Sequence, residues 1–133
     1  MSTVTARFRT IAGTEAALGM VEGRSVIADR PEGKAGGLGL GYSGSQLLAL
    51  AIGTCFHNTL LKQAHQMKTP LAHVEIDVTL AMDGDPLTAT RAVMKLCCQT
   101  ADGATAYDVI ARARNTGMVS RSVAFPVELE IVG

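Results

Sequence analysis

The chain has 133 residues, of which 47% are hydrophobic and 18% are charged. This composition is typical of one packed domain, predicted over residues 1–133, and excludes a disordered polypeptide. Lys and Arg number 12, as do Asp and Glu, so we expect neither nucleic acid nor an anionic membrane as a partner. Trp is absent, which leaves few rings for stacking on bases or sugars.

The cysteine count and the N-terminal sequence predict a cytoplasmic protein. There are three Cys, an odd number, and the chain does not open with a charged stretch followed by an apolar one, so neither secretion nor a disulfide framework is expected. The most apolar run, Leu47 to Phe56, is about half the roughly 20 residues that a membrane span needs. No transmembrane segment is therefore predicted.

The N-terminal third predicts three strands and a loop. Apolar and polar residues alternate over 3–9 and again over 16–20, and a third strand is expected at Arg24–Ala28. Residues 31–45 contain six Gly and one Pro, which is incompatible with a helix or a central strand. A glycine-rich loop of this length is a candidate rim for a functional site.

A long helix is predicted after this loop, with Ser45 as its N-cap, an end near Lys68 and Pro70 beyond it. The first half of this helix, LLALAIGTCF, is apolar around nearly its whole circumference, so we expect it to be buried. At 1.5 Å per residue the helix is roughly 33 Å long, which is long for a domain of this size. A partner subunit is expected to cover the excess.

The remaining sequence predicts two strands, a short helix and a last strand. Alternation is strong over 74–82 and returns over 91–98. A capping box at Thr105 starts the short helix, Gly117 ends it, and the final strand covers 126–132. Strands and helices are segregated along the chain, so the expected class is α+β, with antiparallel sheets packed on the long buried helix.

The three cysteines have different expected roles. Cys55 is either a small apolar packing residue or a nucleophile whose thiolate needs a cation, because it lies too deep in the helix to use the N-terminus. Cys97 and Cys98 are adjacent in a strand, so they point to opposite faces and cannot form an unstrained disulfide with each other. Cys98 shares the core parity, whereas Cys97 shares a polar face with Lys95.

No metal or organic cofactor is predicted. His57, His65 and His73 do not have the spacing typical of a metal site. Lys34 precedes most of the neighbouring glycines, so the loop does not have the order of a phosphate-binding loop.

The segment LLALAIGTCFHNTLLKQA, preceded by a loop containing Gly36-Gly37, resembles the central helix of the OsmC/Ohr family of osmotically inducible and organic hydroperoxide resistance proteins. The stretch from Met118 to Val123 is similar to the family's Cys-Pro-Val-Ser-Arg-Ser-Leu motif. The predicted element order agrees with the family over almost the whole chain. The resemblance implies an OsmC-like fold that forms an intertwined homodimer.

The resemblance also implies a thiol peroxidase, with Cys55 at the position of the peroxide-attacking thiol. Two family residues differ here: Gly117 stands where the second, resolving Cys is expected, and Ser45 stands where a Glu orients the activating Arg. The activating Arg is predicted to be Arg24, with Arg9 and Arg30 as alternatives.

Two functions are therefore open. The first is reduction of a small hydrophobic hydroperoxide by Cys55, with Arg24 stabilising the thiolate and an external thiol completing the cycle. The second is a non-catalytic protein that holds a small hydrophobic ligand in an apolar pocket at the dimer interface. A structural dimer without retained activity is a third interpretation.

Overall fold

The computed structural model describes residues 1–133, with the side chain of Val119 excepted. Contacts divide the chain into two compact units, Met1–Leu47 and Leu48–Gly133. The elements, in chain order, are β1 (Arg7–Thr10), β2 (Ala17–Val21), β3 (Arg24–Ala28), α1 (Gly44–Gln66), β4 (Leu71–Asp83), β5 (Thr88–Thr100), α2 (Tyr107–Thr116), α3 (Met118–Ser122) and β6 (Val127–Ile131). The α+β class and the order of strands are confirmed, whereas a single domain over 1–133 stays a prediction.

The N-terminal unit is built on an antiparallel meander in the order β1-β2-β3. Phe8 lies opposite Gly19, and Leu18 lies opposite Ile27. The prediction of three strands is therefore correct, although the first is shorter than the alternation suggests because residues 1–6 form no ladder.

The glycine-rich segment after β3 is a loop, as predicted, and one carboxylate organises it. Asp29 is 9% exposed, and its carboxylate accepts backbone N–H groups from Arg30 at 2.7 Å and from Leu38 and Leu40 at 3.1 Å each. These hydrogen bonds lower the pKa of the Asp29 carboxyl below its ordinary value of 3.8, the one from Leu40 most strongly. The loop is thus closed around a charged acceptor.

Helix α1 begins at Gly44, two residues before the start at Gln46 that the predicted N-cap Ser45 implies, and its N-cap is Ser43. The Gln46 side chain accepts the backbone N–H of Ser43 at 2.9 Å, and Ser43 Oγ accepts the backbone N–H of Gln46 at 3.4 Å. This reciprocal pair is a capping box, which satisfies two backbone donors, whereas an N-cap at Ser45 would leave the Ser43 pair unused.

The second sheet has the order β4-β5-β6 and is mixed, which corrects the expectation of purely antiparallel sheets. Strands β4 and β5 form a long antiparallel hairpin, with Ile76 opposite Leu96. Strand β6 pairs parallel to β5, with Leu129 opposite Met94. The chain passes through α2 and α3 between these two strands, and such a crossover permits parallel pairing that a tight turn does not.

The core of the C-terminal unit lies between α1, the inner face of this sheet and α2. Residues of α1 at helical spacing are buried with alternate residues of β5 and one face of α2: Ile52, Phe56, Leu60, Ala64, Ala92, Met94, Leu96, Cys98, Val109, Ile110 and Ala113. Gly53 permits a close approach of helix and sheet, since a Cβ atom there would stand 3.2 Å from Val78 Cγ2.

The expectation that the first half of α1 is buried all round is wrong for the single chain. Ile52 and Phe56 are buried, whereas Leu50 keeps 50% of its surface exposed. The C-terminal unit supplies apolar neighbours for one side of the helix, and another apolar side, around Leu50, has no cover from this unit.

The region after β5 departs from the predictions at two points. Helix α2 begins after Ala106, which makes no side-chain cap hydrogen bond. The prediction of a capping box at Thr105 is therefore wrong. Thr105 instead forms an isolated β-bridge with Gln99. Gly117 does end α2, with φ −65° and ψ 131°. The short helix α3 directly after it was not predicted.

Among the residues that the structure describes, no helix combines the length and apolarity needed to cross a membrane.

Candidate functional site

A cavity of about 100 Å³ lies beside Cys55 in the C-terminal unit. That volume holds several water-sized groups. The lining comes from α1, β5, α2, α3, β6 and the α2–α3 junction: Ile52, Cys55, Phe56, Met94, Ala113, Arg114, Gly117, Met118, Ser120, Val127 and Leu129. The walls are mostly apolar, with one thiol, one hydroxyl and one guanidinium among these residues.

Cys55 lines the cavity because it lies beside the buried residues of α1 on the helix surface. Ile52 lies three residues before it and Phe56 is its neighbour, so all three face the same space. The side chain of Cys55 is half-buried. The side chain of Cys55 is therefore partly accessible at the wall of the cavity.

The other two thiols have different surroundings. Cys98 is fully buried in the core, and this burial raises the pKa of its thiol, with a smaller contribution from Cys97. Cys97 is half-buried and pairs across the ladder with Glu75 on the polar face of β5. All three cysteines are free. The predicted packing role of Cys98 and the opposite orientation of Cys97 are confirmed.

Arg114 carries the only formal charge in the described lining of the cavity. It lies in the last turn of α2, three residues before Gly117. None of the ion pairs among the described side chains includes it. Arg114 is not among the arginines predicted from the sequence, although it lies three residues before the position of the family's second Cys, which is a usable signal.

Gly117 lines the same cavity as Cys55. Its backbone lies in an extended region that any residue can adopt. A Cβ atom built there would meet the Ala113 carbonyl oxygen at 3.5 Å and Ser120 Oγ at 3.7 Å, both ordinary van der Waals contacts. The backbone and its nearest neighbours would therefore accommodate a Cβ atom at this position.

The arginines selected from the sequence all lie in the N-terminal unit. Arg24 is exposed on β3, where it lines a shallow groove with Phe8, and Arg9 is exposed on β1. Arg30 is engaged by Glu15, with 3.1 Å between Nη2 and Oε1. Arg114 is the arginine in the described lining of the cavity beside Cys55, and the role assigned to Arg24 stays a prediction.

Ser45 supplies no carboxylate to orient an arginine. Its hydroxyl lies 3.1 Å from the hydroxyl of Ser43 in the first turn of α1. Among the described side chains, no group of three or more His, Cys, Asp or Glu residues has an arrangement that could hold a metal ion.

A second apolar groove lies on another side of α1 and is open to solvent. Its volume is about 410 Å³, and it is lined by Ala49, Leu50, Gly53, Thr54, His57, Ile76 and Val78. These residues belong to α1 and β4. The exposed Leu50 therefore contributes to a continuous uncovered surface rather than to an isolated apolar contact.

Solved structures with the same fold are similar to this chain over nearly its entire length. An OsmC-like protein of unknown function from Vibrio cholerae has a TM-score of 0.83 at 12% identity, with 99% of this chain and 100% of that chain covered. The organic hydroperoxide resistance protein OhrB of Bacillus subtilis has a TM-score of 0.67 at 19% identity, with 98% of each chain covered. These likenesses show the fold.

An organic hydroperoxide resistance protein from Legionella pneumophila also has a TM-score of 0.67, at 18% identity, with 98% of this chain and 96% of that chain covered. No curated protein sequence matches the chain. The sequence model of the OsmC-like protein family matches residues 35–132. This match covers most of the glycine-rich loop, α1, the Cys55 cavity and all of β6, and the chain belongs to the OsmC-like protein family.

Proposed function

We propose that this protein is a thiol peroxidase that reduces small hydrophobic hydroperoxides through Cys55. The observation that carries the proposal is the environment of Cys55: a half-buried thiol beside a mostly apolar cavity that Arg114 also lines. Two solved structures of the same fold are named organic hydroperoxide resistance proteins. An apolar wall favours an alkyl substituent, while the thiol attacks the peroxide end.

In the proposed reaction, the Cys55 thiolate attacks the distal peroxide oxygen and becomes a sulfenic acid, while the substrate leaves as an alcohol. Cys55 is the only thiol in the described lining of the cavity. An external thiol therefore has to reduce the sulfenic acid: two thiols are oxidised to a disulfide, Cys55 returns to the thiol, and water is released. The proposed compartment is the cytoplasm, where thiols are kept reduced.

The decisive variant is Cys55→Ser, with Cys97→Ser as the matched control because both thiols are half-buried. We expect Cys55→Ser to abolish consumption of cumene hydroperoxide in the presence of dithiothreitol, and Cys97→Ser to retain it. Mass spectrometry after dimedone labelling should locate the sulfenic acid on Cys55. Equal rates of hydroperoxide removal by the wild type and Cys55→Ser would overturn the proposal.

The alternative function is non-catalytic binding of a small hydrophobic ligand in the same cavity. Its specific support is the mostly apolar lining together with Gly117, which leaves room at the position of the missing second thiol. Native mass spectrometry of freshly purified protein should then show a bound small molecule. An empty protein in every preparation would contradict this alternative.

We also propose that the functional unit is a homodimer. The support is the groove around Leu50, where an apolar side of α1 and part of β4 lack cover from the C-terminal unit. A second copy of the chain would remove this apolar surface from water.

A further inference from the structure

We propose that Arg114 stabilises the oxygen that leaves when Cys55 cleaves a hydroperoxide. This inference rests on the proposed peroxidase function and assigns a catalytic role to a residue outside the sequence-based candidates. Arg114 and Cys55 line the same cavity of about 100 Å³. The other described lining residues are uncharged, so Arg114 is the one cationic residue in the described lining.

The chemistry of the step creates the need for such a cation. The sulfur attacks the distal oxygen, an S–O bond forms, the O–O bond breaks, and its electron pair passes to the proximal oxygen. The sulfur is oxidised to the sulfenic acid and the peroxide is reduced to an alkoxide, which takes a proton from water and leaves as the alcohol. Negative charge thus moves from sulfur to oxygen, and a fixed donor near that oxygen lowers the barrier.

The walls of the cavity offer few other groups for this task. The Ser120 hydroxyl donates to the Gly117 carbonyl oxygen at 3.3 Å. The thiol of Cys55 is itself the nucleophile. The remaining described lining residues, from α1, β5, β6 and the helix junction, have apolar side chains or none.

The guanidinium of Arg114 is available for an anionic oxygen. Arg30 and Arg91 form ion pairs with Glu15 and Glu128 respectively. Arg114 has no carboxylate within ion-pair distance among the described side chains. A guanidinium remains protonated throughout the physiological pH range, so it presents a positive donor whenever a substrate enters.

The test compares two reactions of Cys55 in the full-length protein, both followed on the Cys55 peptide by mass spectrometry. The first is sulfenic acid formation by cumene hydroperoxide, and the second is alkylation by iodoacetamide. The iodide that leaves in the second reaction carries its charge diffusely and needs no hydrogen-bond donor. A role on the leaving oxygen therefore affects the first reaction selectively.

We expect Arg114→Gln to slow the hydroperoxide reaction at least about tenfold more than alkylation, because loss of an oxyanion donor costs on the order of a hundredfold in rate. Arg114→Lys should recover part of the hydroperoxide rate. The matched control is Arg112→Gln, which removes an exposed charge from the same helix outside the cavity lining. This control should react as the wild type does.

Two results for Arg114→Gln would overturn the inference: unchanged rates in both reactions, or equal proportional losses in both, which would indicate an effect on the sulfur or on the fold. A wild-type Cys55 that alkylates normally but does not react with hydroperoxide would overturn the proposed function itself. Failure of the inference alone would appear as a hydroperoxide reaction that depends on Cys55 but not on Arg114.

Discussion

At the scale of single residues, three thiols of one chain differ because their neighbours differ. Cys98 is enclosed by the core, and Cys97 lies on the polar face of the sheet. Of the three cysteines, only Cys55 is in the described lining of the cavity that Arg114 also lines. Reactivity of a thiol requires access and a suitable electrostatic environment, so position within the fold separates these residues more clearly than residue type does.

Gly117 offers a direct test of the missing second thiol. In Gly117→Cys, the new Cβ atom would make ordinary contacts, and position 117 lines the same cavity as Cys55. We expect one equivalent of hydroperoxide to convert the sulfenic acid into an intramolecular disulfide, seen by mass spectrometry as loss of two hydrogens relative to the dithiol. Gly117→Ser, the control of similar size, should accumulate the sulfenic acid instead.

If Gly117→Cys accumulated the sulfenic acid as the serine control does, the two side chains would not meet in the folded protein. A comparison of stability makes the result interpretable. A non-Gly residue fits this extended backbone. We therefore expect the free energy of unfolding of Gly117→Ser to differ from that of the wild type by no more than about 1 kcal/mol.

At the scale of elements, one buried carboxylate accepts backbone hydrogen bonds of the glycine-rich loop that a helix or sheet would otherwise satisfy. Residues 30–40 contain several turns, yet three of their backbone N–H groups converge on Asp29. A buried backbone donor without a partner is costly, so this convergence favours one loop conformation. The loop is a defined element and not a loose linker.

The stability contributed by Asp29 should depend on pH. Since folding lowers the pKa of this carboxyl from its ordinary 3.8, its contribution is complete above that value and is lost as the pH falls through the lower pKa of the folded state. We expect Asp29→Asn to reduce the urea midpoint at pH 7, and this difference from the wild type to shrink at acidic pH.

The control for this experiment is Asp85→Asn, at the exposed tip of the β4–β5 hairpin, which should unfold as the wild type does at pH 7. A midpoint difference for Asp29→Asn that stayed constant down to acidic pH would contradict the assigned role of the charge. Such a result would leave only the shape of the side chain as the stabilising factor.

The start of α1 supplies a second element-level prediction. The capping box between Ser43 and Gln46 satisfies two backbone donors. We expect Ser43→Ala to lower the free energy of unfolding by about 1 kcal/mol. Ser45→Ala, which removes the residue predicted from sequence, should have a smaller effect in the same thermal or urea unfolding measurement. The reverse order would restore Ser45 as the cap.

At the scale of the whole molecule, the uncovered side of α1 predicts self-association. Leu50→Glu places a charge in the groove that a second copy is proposed to cover, and burying an unpaired charge is strongly unfavourable. We expect the wild type to sediment as a dimer at micromolar concentration and Leu50→Glu to shift toward the monomer. Leu87→Glu, at an exposed position in the hairpin, should remain dimeric.

A wild-type protein that sedimented as a stable monomer at micromolar concentration would contradict the dimer. It would also mean that the apolar groove around Leu50 tolerates exposure to water. The proposed chemistry at Cys55 would then belong to a single chain, since every described residue of its cavity lies within the C-terminal unit.

Much of the fold could be predicted because the spacing of apolar residues in a short segment indicates whether it is a strand or a helix and which of its faces is buried. The inward residues of β5, such as Met94 and Leu96, were identified by parity alone. The parallel pairing of β6 and the helix α3 were missed because neither leaves a periodic signal in so few residues. The predicted burial of the first half of α1 was too high. An apolar sequence shows which helix surface is suited to burial, but it does not show whether the same chain supplies the residues that cover it.

The amino-acid sequence by itself determined the α+β class, the family, the long helix carrying Cys55 and the buried role of Cys98, because these depend on local periodicity and motif. Only the tertiary structure decided which guanidinium shares a cavity with Cys55. Arg114 is 59 positions away in the chain, and no local pattern links two residues so distant. Their shared cavity arises from the packing of α1 against the sheet and the helices of the C-terminal unit, a consequence of the folded chain as a whole.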